Sequence, residues 1–74
     1  MNYKINFLWD SDACVWTASS DDVPGLVLES DSLDALIEKV RFAVPELMEL
    51  NGVNAESFKL SYRAEREDRV AVNG

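Results

Sequence analysis

Seven carboxylates stand in the first half of the chain: Asp10, Asp12, Asp21, Asp22, Glu29, Asp31 and Asp34. Several acidic side chains converging on a pair of cations is what metal-dependent nuclease chemistry requires. Most of these residues, however, fall where turns and a helix start are expected, and there a short acidic side chain has a local reason to be present. The Asp10-Ser11-Asp12 spacing also lacks the further oxygen ligands and the glycine of an EF-hand loop. Nucleophilic catalysis is less favoured still, because the one cysteine, Cys14, and the serines have no histidine anywhere in the chain to activate them. Cys14, beside Trp16, reads as a small buried hydrophobe, and Trp9 and Trp16 as packing aromatics. Pro24-Gly25 is a turn and not a phosphate-binding loop. The expectation is a protein that is not an enzyme, with no catalytic, cofactor or metal residues.

The elements that hold these residues follow from periodicity. Tyr3, Ile5, Phe7 and Trp9 alternate with the intervening positions, as one face of a half-buried strand requires. Asp10 to Ala13 favour a turn, and Cys14 to Ser19 are rich in strand formers, so a hairpin is expected. Ser20 to Gly25 is a loop, and Leu26 to Glu29 a short third strand. Ser32 is placed to cap a helix, with Asp34 in its first turn and Leu33, Leu36, Ile37, Val40, Val44 and Leu47 at steps of three and four. Pro45 predicts a kink or a restarted helix, and Asn51-Gly52 a stop. Phe58, Leu60 and Tyr62 give a fourth strand with one apolar face. The fold class is α+β, ordered β-β-β-α-β: a small, mostly antiparallel sheet with one helix on one face. One domain is expected over residues 1–64, with residues 65–74 a tail that either frays or forms a short edge strand at Val70 to Val72.

At 74 residues and 47% hydrophobic content, with a mean hydropathy of −0.15, the chain is globular in character but short of core. A lone cysteine closes no intramolecular disulfide and the absence of histidine removes the commonest zinc ligand. One helix on one sheet face would also leave apolar strand surface uncovered, so a homodimer is the expected supplement. The apolar runs are too short to span a bilayer and a single free thiol suits a reducing compartment, which predicts a cytoplasmic protein away from membranes. A formal charge of −7 disfavours direct contact with nucleic acid and favours a basic protein partner. One helical residue departs from the pattern. Phe42 lies about 180° from Leu33 at ~100° per residue, among Glu38, Glu46 and Glu49. Either the Pro45 kink or the tail covers it, or it is an exposed anchor.

Three stretches occur in a telling order: Trp9-Asp10-Ser11-Asp12-Ala13-Cys14-Val15-Trp16-Thr17-Ala18, then Asp22-Val23-Pro24-Gly25-Leu26, then Ser30-Asp31-Ser32-Leu33-Asp34-Ala35-Leu36. This order resembles the toxin-binding domain of HicB-type antitoxins, over roughly residues 3 to 48, and most closely a branch of short bacterial proteins with Val44-Pro45-Glu46-Leu47 in the helix. The resemblance implies a partial RNase H-like fold without RNase H activity, and a role in silencing a small basic, RNA-cleaving HicA-type toxin. It transfers no catalytic residues. Too few residues follow Tyr62 to form the DNA-binding segment of full antitoxins, so autoregulation is not implied. The partner-binding residues expected on this reading are Asp21, Asp22, Asp31, Asp34 and Phe42. The alternatives are a homodimeric module for another protein or a small ligand, and a residual metal-dependent nuclease.

Overall fold

A computed structural model of the chain describes residues 2–73. The element order is β1 (Asn2–Asp10), β2 (Val15–Ser19), β3 (Val27–Ser30), α1 (Leu33–Leu50) and β4 (Lys59–Glu65), as the periodicity predicts to within a few residues at each end. The strands form one sheet in the order β3-β2-β1-β4, with β1 antiparallel to β2, β2 antiparallel to β3, and β4 parallel to β1. β3 and β4 are therefore the two edges, and α1 carries the chain across the sheet from one to the other. No helix among the described residues is long and apolar enough to cross a membrane.

Register explains which side chains the helix covers. Phe7 pairs with Ala18, and Ala18 with Leu28, while on the other flank Tyr3, Ile5 and Phe7 pair with Leu60, Tyr62 and Ala64. Paired residues share a face, so all of these point to the helix side. There Tyr3, Ile5, Phe7 and Ala18 join Leu36, Val40, Val44 and Met48 of α1, and Val23 and Leu26 of the loop after β2, in one buried core. The opposite face carries Lys4, Asn6, Thr17, Ser19, Glu29, Ser61 and Arg63, with Leu8 and Val27 its exposed large hydrophobics. The open sheet face is thus mostly polar, so the apolar strand surface expected to stay uncovered is not concentrated there. Alternation gives the solvent face to polar residues, and the uncovered apolar surface lies elsewhere.

Local chemistry sets the joints. Asp10 Oδ1 accepts from the amides of Asp12 and Ala13 at 3.0 and 3.2 Å, which builds the turn into β2. Cys14 completes that turn with a φ of 55° and is exposed, its Sγ 3.6 Å from the Ser11 carbonyl. The expectation of a buried strand cysteine fails because the turn needs a left-handed residue there, which swings the thiol outward. At Val23 to Leu26 the amide of Leu26 donates to the Val23 carbonyl at 3.2 Å, with Gly25 at φ 84°. Proline then glycine at the two central positions is what a type II turn demands.

Ser32 caps α1 by accepting from the Ala35 amide at 3.3 Å. At the other end Gly52 (φ 80°) donates to Glu49 and Val53 donates to Met48, the paired bonds of a Schellman stop. Between them the helix runs unbroken through Pro45, so the expected restart does not occur. Pro45 and Arg41 are both exposed, and water can satisfy the Arg41 carbonyl that an amide at position 45 would have taken. The tail after β4 forms no strand among the described residues, which corrects the short edge strand considered for Val70 to Val72. Residues 66–73 are all exposed, and Arg66 lies 4.0 Å over the Trp9 ring.

An interior proline is about 3 kcal/mol less favourable than alanine in a helix, against which its stiffening of the unfolded chain returns ~0.4–1 kcal/mol. Pro45→Ala is therefore expected to raise unfolding stability by about 2 kcal/mol in urea titrations followed by circular dichroism. A destabilised variant would show that the proline's packing, and not its backbone, governs this position.

Candidate functional site

The buried stripe of α1, Leu36, Val40, Val44 and Met48, is a row of four-residue steps. Opposite to it, on the solvent pole of the helix, stands Phe42, 73% exposed. Neither Pro45 nor the tail covers it. Its neighbours at helical spacing are Glu38, Glu46 and Glu49, and Leu50 adds a second side chain that is 83% exposed. Arg41 offsets part of this charge, with a 2.9 Å ion pair to Glu38. Both partners are about 60% exposed, so the pair contributes little to stability and leaves the carboxylate available to an incoming cation.

The four aspartates singled out from the sequence are exposed, but they do not form one cluster. Asp31 and Asp34 flank Ser32 at the N-terminal end of α1. Asp21 and Asp22 lie in the loop after β2, at the end of the sheet where α1 finishes; a Cβ on Gly25 of that loop would stand 3.7 Å from Leu47. The two pairs are thus separated by most of the helix length, which is ~27 Å for 18 residues. Asp22 also has a structural role, because its Oδ2 accepts from the Lys4 amide at 2.8 Å, while the Ser20 hydroxyl donates to the Lys4 carbonyl. It ties the loop to β1. Among the described residues no group of three His, Cys, Asp or Glu side chains is placed to hold a metal.

A second feature has no counterpart in the sequence pattern. A groove of 470 Å³ runs between α1 and the edge strand β4, lined by Arg41, Pro45, Glu56, Phe58, Leu60 and Tyr62. Tyr62 is 41% exposed although its ring packs on Phe7 at 5.5 Å. The alternation Phe58, Leu60, Tyr62 marks this face as apolar; only the position of the helix reveals that it is incompletely covered.

A family model described as a domain of unknown function (DUF1902) matches residues 2–73. No curated protein matches the sequence. Among solved structures, the chain is similar to a hypothetical protein from the extremely thermophilic bacterium Thermus thermophilus, at 44% identity and a TM-score of 0.81, covering 95% of this chain and 100% of that one.

Because Phe42 adds nothing to the core, Phe42→Ala is expected to change unfolding stability by no more than ~0.5 kcal/mol, measured by thermal and urea denaturation. A loss above ~2 kcal/mol would assign the ring to packing and remove it as a candidate anchor.

Proposed function

The chain belongs to the DUF1902 family, and we propose that it acts as an antitoxin-like binding domain that seats a small basic protein, such as an RNA-cleaving toxin, on the outer face of its helix. The observation that carries this reading is Phe42, an aromatic held 73% exposed on a regular helix and bordered by carboxylates. An aromatic anchor that becomes buried on association is the usual centre of a protein interface, and an acidic rim accelerates the encounter with a cationic partner. The net charge of −7 acts in the same direction over longer range. Asp31 and Asp34 add exposed carboxylates at the start of the helix, and Asp21 and Asp22 add two more in the loop after β2. The activity is inhibition by occlusion, with no chemical step on this chain. The order of the Asp-turn, the Val23-Pro24-Gly25-Leu26 loop and the Ser32-capped helix supports the antitoxin likeness, since each part has a defined place in the fold.

Binding of a purified HicA-type toxin tests the reading, with inhibition of its RNA cleavage as a second readout. Phe42→Ala is expected to weaken affinity by at least ~30-fold, mainly through faster dissociation. Glu46→Lys with Glu49→Lys is expected to slow association and flatten its salt dependence. Affinity weaker than ~1 mM at low salt for basic toxins of this class, or binding indifferent to both variants, overturns the proposal.

A further inference from the structure

Residues 66–73 leave the sheet as an exposed arm in which Val70 and Val72 are 79% and 87% exposed. The molecule is 58 Å along its longest axis, with a radius of gyration of 14.8 Å against about 11 Å for a compact chain of this length. Neither the longest strand nor the helix spans much more than half of that axis: nine strand residues reach ~30 Å and eighteen helical residues ~27 Å. The eight exposed residues of the arm, ~26 Å if extended, are long enough to account for the remainder. The same excess appears in the accessible surface, 5659 Å² where a folded monomer of 8.3 kDa presents about 4600 Å². The difference, about 1000 Å², is close to the ~800 Å² that one partner contributes to a stable interface.

We propose that this arm binds a second copy of the chain: two β4 strands pair antiparallel across a twofold axis, and each arm runs into the partner's groove between α1 and β4. Topology makes the fit specific. β4 is an edge strand without proline, so its outer backbone groups are open to pairing. In an antiparallel pair the chain leaving the end of one β4 passes the beginning of the other, where the groove is lined by Glu56, Phe58 and Leu60. Side-chain parity agrees with this path. Val70 and Val72 share the even-numbered phase of Leu60, Tyr62 and Ala64, which face the helix side, so an arm continuing in register turns both valines toward Phe58 and Pro45.

Charge selects the same geometry. The chain as a whole repels its copy at −7, but Arg66, Glu67, Asp68 and Arg69 bring the arm to neutrality. A register centred near Ala64 sets Arg63 opposite the partner's Glu65 twice, on the polar face of the joined sheet. One symmetric contact thus covers both the groove and the arm's valines, and a twofold interface repeats each gain. This contact involves neither Phe42 nor the aspartates, so it stands or falls separately from the toxin-binding proposal.

Sedimentation equilibrium of the full chain tests it without any other partner. The expected result is a mass twice 8.3 kDa at micromolar concentrations, with Val70→Asp/Val72→Asp weakening the dimer at least ~100-fold. Both valines lie outside the core, so the variant keeps its fold, checked by an unaltered circular dichroism spectrum. Val27→Asp, at the other edge of the sheet and 81% exposed, is expected to leave the mass unchanged. A wild-type monomer up to ~1 mM, a dimer that survives the double substitution, or a dimer lost equally on Val27→Asp overturns the proposal.

Discussion

The constraint on which the structure turns is that one helix has to cover four strands. Four strands at ~4.8 Å spacing make a sheet ~15 Å across between the outer strand axes, whereas a helix with its side chains is ~10 Å wide. α1 resolves the mismatch by lying off centre, approaching the backbones of β3 and β2 most closely. Val23 and Leu26, both buried, extend the cover with a loop in place of a second helix. The β4 side receives least, so Phe58 and Leu60 stay half-buried and a groove opens beside them. Core, loop plug and groove are consequences of the same shortage.

That shortage gives the Val23-Pro24-Gly25-Leu26 turn its importance. It is the point at which a connection between strands becomes part of the core, and it is anchored from both sides. Asp22 and Ser20 hold it to the backbone of Lys4 on β1, while Gly25 lies close enough to Leu47 for a Cβ to make ordinary contact. The left-handed φ of Gly25 therefore matters more than the space around it. A residue with a side chain would fit beside the helix but would strain the turn by ~1 kcal/mol, and the buried positions of Val23 and Leu26 depend on that turn.

Much of the architecture was legible because each element carries its own local signal. Alternation marked β1 and the apolar face at Phe58, Leu60 and Tyr62; Ser32 and Asn51-Gly52 marked the helix ends; Pro24-Gly25 marked the turn. Where expectation failed, a local rule met a competing requirement. Cys14 looked like a strand residue, but the turn that Asp10 initiates needed a left-handed conformation at its last position. Pro45 looked like a boundary, but it occupies an exposed position where water can replace the lost bond, and packing of Val44 and Met48 on either side keeps the helix whole. Phe42 was identifiable as misplaced from helical phase alone. Its exposure was not, since that depends on whether the tail folds back. The groove was invisible for a different reason: it follows from the lateral offset of α1, which no periodicity encodes.

The acidic surface of this chain is best understood together with its small core. Among the described residues no charged side chain is buried, so the carboxylates take no part in holding the interior and are distributed entirely over the exterior. Those at turns and caps have local work, as Asp10 and Asp22 show. Glu46 and Glu49 on the outer helix face form no ion pair among the described residues. Carboxylates that neither build a turn nor pair with a neighbour are a mild electrostatic cost to a monomer already carrying a charge of −7. Beside an exposed phenylalanine that cost would be offset by the approach of a positively charged partner. The outer face of α1 is thus the part of the molecule whose composition folding explains least, and that is the physical ground on which the recognition proposal rests.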